Sequence, residues 1–129
     1  METRNTLRIP VDLEIFWKAE KKKDQVFSLS TKDMHKDKAT DISGGGMGII
    51  IKYFLPRGFR IKIALAGGIF GLTRFIRFKG VVCYCNYINH GNYKCGIKFI
   101  DPPAIYTLKF NEFKSSYEKR QTPRVTLSE

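Results

Sequence analysis

With 129 residues, the chain has room for one domain with a substantial core and not for two. Its 43% hydrophobic and 27% charged residues are those of an ordinary globular protein. The formal charge of +11 is a surplus that attracts anions (nucleic acid, nucleotides, phosphoinositides or an acidic protein) without choosing among them. The opening Met-Glu-Thr-Arg-Asn-Thr lacks the apolar centre of a secretion signal. The charge-free stretch at residues 63–73 falls well short of the roughly 20 apolar residues a membrane helix needs. Three cysteines, an odd number, argue against a disulfide framework. A reduced, cytoplasmic protein without membrane insertion is expected.

In chain order, residues 1–8 are polar, carry Arg4 and Arg8, and read as a mobile tail. Pro10 then opens an alternation of Val11, Leu13, Ile15 and Trp17 against Asp12, Glu14, Phe16 and Lys18, the period of a half-buried strand. The charge run at 18–24 reads as a solvated hairpin loop, residues 26–30 as a second short strand, and 32–38 as a polar loop. His35 and His90 are both assigned to loops. Next comes Asp41-Ile42-Ser43-Gly44-Gly45-Gly46-Met47-Gly48, where four glycines in eight positions free the backbone for positive φ and close approach. Asp41 and Ser43 stand at strand spacing and so share a face. An apolar strand follows over 47–53.

Residues 56–58 make a turn of proline and glycine, and 59–66 alternate as a strand. Gly67-Gly68 or Gly71 then turns the chain. Residues 75–88 form a long β-rich run, kinked or bulged at Gly80. Asn89-His90-Gly91-Asn92 is a hairpin loop, and 93–100 complete the pair. There the period changes. Asp101 suits an N-cap and Pro102 the first helical position. Tyr106, Phe110, Phe113 and Tyr117 recur as one aromatic helical stripe, which Ile105 and Leu108 widen. The pattern predicts a mainly β domain: six or so antiparallel strands forming a small barrel or curled sheet, with one helix packed against it.

Several patterns bear on chemistry. The glycine turn is either structural punctuation or one wall of a ligand site. It is no Walker loop, for no Gly-Lys-Ser/Thr follows, and isoleucine at 49 breaks G-x-G-x-x-G. Cys83 and Cys85 share a strand face with Cys95 on the next strand, short of a zinc set, so inert buried thiols are expected and no metal site. No paired acid and base and no activated nucleophile emerge, so there are no candidate catalytic residues and no enzyme is expected. Arginine forks such as Arg4 and Arg8 suit phosphate or the O6/N7 edge of guanine. Asp41 suits the adjacent ring N–H and amine of guanine, Ser43 adds a hydroxyl, and a glycine at 46 lets a base or sugar come close. A guanine nucleotide carrying phosphates would satisfy both groups at once.

These residues fall in a familiar order. Arg4-x-x-x-Arg8 runs into Ile9-Pro10-Val11, and Asp41-x-Ser43-x-x-Gly46 runs into a strand. Leu55-Pro56-x-Gly58, Gly80-x-Val82 and Gly96-Ile97-Lys98-Phe99 follow. Over nearly its whole length the sequence resembles the PilZ domain. That resemblance implies a six-stranded antiparallel β-barrel with a C-terminal α-helix in one domain over 1–129. Within it, 1–9 would be a flexible ligand-clasping loop, 10–100 the barrel, 101–119 the helix and 120–129 a polar tail. It further implies a non-catalytic receptor, without cofactor, for the bacterial second messenger cyclic di-GMP. Arg4 and Arg8 would clasp guanine edges and phosphates, Asp41, Ser43 and Gly46 would recognise a guanine, and Tyr84 would offer a stacking face. The signal would pass to an unidentified effector protein in motility, adhesion or exopolysaccharide control. Two alternatives stay open: a PilZ-fold adaptor that meets proteins without the nucleotide, and a basic barrel binding single-stranded nucleic acid through stacking rings. Nucleic acid is not the expected partner.

Overall fold

The computed structural model describes residues 7–20 and 34–121. Among the described residues, six strands, β1 (Ile9–Ala19), β2 (His35–Ile42), β3 (Gly46–Ile51), β4 (Arg60–Ala66), β5 (Phe75–Asn89) and β6 (Asn92–Ile100), precede one α-helix, α1 (Ala104–Gln121). The strands close into a barrel in the order β1-β2-β3-β6-β5-β4, and every neighbouring pair is antiparallel. Closure leaves no sheet edge to protect. The expected mainly β, six-stranded antiparallel barrel with a C-terminal helix is what the chain forms.

Apolar alternation fills the interior. Ile15 and Trp17 from β1, Met47, Ile49 and Ile51 from β3, and Ile61, Ile63 and Leu65 from β4 are all buried. Between β5 and β6, His90 and Gly91 take φ of +45° and +78° in a two-residue turn. That is the geometry that matches the twist of a hairpin.

Several expectations need correction or fall beyond the described residues. The strand expected at 26–30 lies outside the described residues. The loop expected at 32–38 gives way, from His35 on, to β2, whose sequence His-Lys-Asp-Lys-Ala-Thr-Asp-Ile hides a strand. Only Ala39 and Ile42 are buried in it. Its outward lysines are matched by acids on β1, Lys36 with Glu14 at 2.9 Å and Lys38 with Asp12 at 3.2 Å. His35 is therefore a strand residue, its ring centred 4.6 Å from that of Trp17.

The expected irregularity at Gly80 is also misplaced. Pairing with β4 runs unbroken through Gly80, and the register of β5 against β6 shifts between Val82 and Tyr84. At the helix start, Asp101 has φ of +46° and does not cap. Asp101 and Pro102 each precede a proline, which holds them out of helical conformation, so α1 begins at Ala104. Finally, Leu108 does not widen the stripe. Two residues on from Tyr106, it points away from the barrel and is 55% exposed.

The rest of the stripe seats the helix. Tyr106 and Phe110 are buried, with Phe113, Tyr117 and Ile105 partly so. The Tyr106 ring meets Phe70, Phe78, Phe99 and Phe110 at centroid distances of 5.9, 5.2, 5.3 and 5.8 Å. Its hydroxyl donates to the carbonyl of Ser43 at 2.6 Å, tying the helix to the β2–β3 turn. Burial pushes the Tyr106 phenol above its ordinary range.

Tyr106→Phe removes a buried donor and strands a carbonyl, so urea unfolding is expected to show a loss of about 1–2 kcal/mol near neutral pH. A raised phenol contributes its full stability below the unfolded value of about 10 and loses it as pH climbs beyond. The wild-type advantage over Tyr106→Phe is therefore expected to shrink above about pH 10. A gap constant through that range would show that the phenol does not titrate as its burial requires.

Candidate functional site

The register places five residues in one row across the barrel's outer face. Pro10 on β1 pairs with Asp41 on β2, Asp41 with Gly48 on β3, Gly48 with Gly96 on β6, and Gly96 with Tyr84 on β5. Two glycines side by side clear room for the side chains that flank them. A side chain at Gly48 would collide with the Asp41 carboxylate and the Lys94 stem, and one at Gly96 would collide with the Tyr84 ring. The carboxylate thus leans in over β3 from one side, and the ring leans in over β6 from the other. Room is the reason for glycine here. Gly44, Gly45, Gly46 and Gly48 do not take positive φ, contrary to the reading of the turn from sequence. Gly46 is needed because a Cβ there would strike the carbonyl oxygen of Ile97.

Each wall is aimed by an irregularity. In β2 the register shifts between Ala39 and Asp41, so Ala39 and Ile42, three apart, both face the core and Asp41 faces out. In β5 the inward series Ile76, Phe78, Gly80 and Val82 would continue to Tyr84, but the shift after Val82 turns Tyr84 outward, where it is 41% exposed. A β-bulge re-aims a side chain in this way.

Asp41 is the electrostatic centre. Arg8 Nη1 donates to its Oδ1 at 2.7 Å, Lys94 Nζ stands 3.5 Å from its Oδ2, and the Thr40 hydroxyl donates to the same oxygen at 3.0 Å. One carboxylate is therefore held by two cations. Ser43 behaves differently from the expectation. It lies past the end of β2 and is 2% exposed, so it does not share Asp41's strand face. Its hydroxyl accepts from the N–H groups of Gly45 and Gly46 at 3.3 and 3.1 Å and lies 3.2 Å from the Gly46 carbonyl. Ser43 is the internal brace of the turn.

A cleft of about 400 Å³ opens beside the row, lined by Arg8, Ser43, Gly46, Tyr84, Gly96 and Lys98 among others. Asp41 stands at its margin, joined to Arg8. The structure thus gathers Arg8, Asp41, Ser43, Gly46 and Tyr84 in one place, while Arg4 lies outside the described residues. Lys94, Lys98 and the paired glycines went unread in the sequence. Their signal was the outward alternation Lys94-x-Gly96-x-Lys98 on β6, between buried Cys95, Ile97 and Phe99. Among the described residues, no group of three or more His, Cys, Asp and Glu could hold a metal ion. No helix among them is long and apolar enough to cross a membrane.

Comparison with known proteins places the chain in a family. The PilZ domain model matches residues 2–110. The fold is similar to that of the Bacillus subtilis inhibitor of motility, MotI/DgrA (TM-score 0.73, 13% identity, 95% of this chain and 55% of that one). It is similar to the PilZ domain of Escherichia coli YcgR, solved with c-di-GMP (TM-score 0.56, 14% identity, 95% and 100%). The K. pneumonia MrkH–c-di-GMP complex is a further likeness (TM-score 0.60, 15% identity, 95% and 56%). The chain spans about half the length of the MotI/DgrA and MrkH chains and all of the YcgR PilZ domain. No curated protein sequence matches it. On the family match over most of its length, the chain belongs to the PilZ domain family.

Proposed function

We propose that the protein is a non-catalytic receptor for cyclic di-GMP, binding it in the cleft between the Arg8–Asp41 pair and Tyr84. The row Asp41–Gly48–Gly96–Tyr84, with Arg8 at its end, carries this reading. It sets an acceptor, two glycines and an aromatic face in one line. Structures of two proteins with similar folds, the YcgR PilZ domain and MrkH, contain c-di-GMP. In the proposed complex Asp41 accepts from the ring N–H and amine of a guanine. Arg8, released from Asp41, turns its fork to a phosphate or to the O6/N7 edge. Arg4 supplies a second fork. Ser43 and Gly46 fix the turn whose backbone lines the cleft, and Tyr84 stacks on a base. The formal charge of +11 favours capture of an anion with two phosphates. The output is the altered surface around Arg8, read by an effector protein in motility, adhesion or exopolysaccharide control.

Calorimetric titration with cyclic di-GMP is expected to give saturable binding. Arg8→Ala and Asp41→Ala each remove a charge-assisted contact, about 1.5–3 kcal/mol, and so are expected to weaken binding by about 10–100-fold. Absence of heat, or binding indifferent to both changes, would overturn the proposal. Indifference of a partner complex to the nucleotide would favour a pure adaptor instead.

Tyr84 has its own test. Stacking uses the ring face and not the hydroxyl, so Tyr84→Phe is expected to bind like wild type while Tyr84→Ala loses about 1 kcal/mol or more, roughly fivefold. Equal affinities for Ala and Phe would remove Tyr84 from the site.

A further inference from the structure

Next to the cleft wall lies a pair of thiols that the ligand reading does not use. Cys85 on β5 and Cys95 on β6 face each other directly across the ladder, adjacent in sequence to Tyr84 and Gly96, themselves partners. Their Sγ atoms are 3.0 Å apart, the Cys95 thiol donating to Cys85. The Cys85 sulfur also accepts from the N–H of Leu55 at 3.3 Å, and its thiol lies 3.9 Å from the carbonyl oxygen of Tyr53. Cys95 is wholly buried, Cys85 half-buried and Cys83 exposed; none is in a disulfide.

Directly facing residues of an antiparallel ladder have Cα atoms about 4.5–5.5 Å apart. That lies within the roughly 4.4–6.8 Å that a disulfide spans. Joining these sulfurs therefore asks for side-chain rotation and no rearrangement of the ladder. The geometry points to Cys85 and Cys95 as a reversible modification site, oxidised by a peroxide to a disulfide that staples β5 to β6 beside the Tyr84–Gly96 wall. The inference does not depend on which ligand the cleft takes.

The chemistry balances. The Cys85 sulfur attacks one oxygen of hydrogen peroxide. An S–O bond forms, the O–O bond breaks and water leaves, giving a sulfenic acid at Cys85. The Cys95 sulfur then attacks that sulfur. The S–S bond forms, the S–O bond breaks, and hydroxide departs with the Cys95 proton as a second water. Two thiols lose two hydrogens in all, and one peroxide is reduced to two waters. Exposure assigns the roles, since peroxide reaches Cys85 first. Cys95 is shut in the core, where burial pushes its thiol up, and it acts second. Thiol exchange with a small dithiol reverses the bond. Cys83 is poorly placed to compete, because it is exposed at the register shift and lines the cleft, while Cys85 is paired with the buried Cys95.

The test uses the full chain, reduced and then treated with one equivalent of hydrogen peroxide, unfolded and alkylated with N-ethylmaleimide. Mass spectrometry is expected to find a loss of two hydrogens, one maleimide on Cys83, and a peptide linked through Cys85 and Cys95. Dithiothreitol is expected to restore three maleimides. Cys83→Ser should keep the link, and Cys95→Ala should abolish it and leave a Cys85 sulfenic acid that dimedone traps. Where Cys95→Ala fails to fold, Cys85→Ala, with no link, serves instead. Three maleimides after peroxide, or links only between chains, would overturn the inference. In the oxidised protein the amides of Tyr84 and Gly96 are expected to exchange hydrogen more slowly, and unchanged exchange would sever the staple from the cleft wall.

Discussion

At Gly48 and Gly96, β3 and β6 pass each other with no side chain standing between Asp41 and Tyr84. That space is taken by the flanking side chains, the Asp41 carboxylate and Lys94 stem over Gly48 and the Tyr84 ring over Gly96. Neighbouring strands lie about 4.8 Å apart, so β2 and β5 are separated by roughly three such spacings across the row. The carboxylate and the ring lean inward over the glycines and narrow the trough from both sides. A methyl group at either glycine would meet one of them. The row is also anchored from below. Ser43 braces the turn that joins β2 to β3, and the Tyr106 hydroxyl holds the Ser43 carbonyl from the helix. Core packing under α1 is in this way connected to the shape of the surface proposed to meet a ligand.

The two walls reach that trough by the same device. An unbroken strand of period two would send Asp41 inward with Ala39 and send Tyr84 inward with Val82. Each strand instead shifts register by one residue immediately before its site residue. The alternation resumes in the opposite phase, so Ile42 and Cys85 take the next inward positions. The thiol pair is thus a by-product of the shift that exposes Tyr84. Cys85 faces Cys95 because Tyr84 faces out, which is why the proposed redox pair and the proposed ligand wall adjoin.

Those shifts also explain which parts of the structure could be read in advance. Strands β1 and β4 were legible from alternating apolar positions, and β3 from a continuous apolar run. β2 was not, since its outward lysines find their acids on β1, a match visible only once the pairing is known. Arg8 and Asp41 were legible as chemistry, two complementary charged groups in motif order, and the fold brings them to 2.7 Å. Ser43 was misread because strand spacing was carried past the strand's end, where its hydroxyl turns back on its own loop. Of the positive φ and close approach expected of the turn glycines, positive φ is absent, and the close approach at Gly46 and Gly48 is to neighbouring strands, which is invisible along one chain. Lys94 belongs to the same class. It matters through a carboxylate 53 positions earlier, reached over Gly48.

The Arg8–Asp41 contact bears on selectivity. A pair this exposed, with side chains at 46% and 20%, is worth only about 0.2–1 kcal/mol, so a ligand can part it at little cost. Re-pairing the separated charges is more demanding, because each then requires a new partner. A phosphate alone would satisfy Arg8 and leave its oxygens facing the Asp41 carboxylate. An uncharged base alone would satisfy Asp41 and leave the guanidinium waiting. On the proposed reading, a ligand that brings a guanine donor edge and an anion together satisfies both, and unmatched charge counts against the others. In that exchange Lys94 would help: it stands 3.5 Å from the carboxylate oxygen that Arg8 does not use, so Asp41 would keep a counter-charge while Arg8 moved.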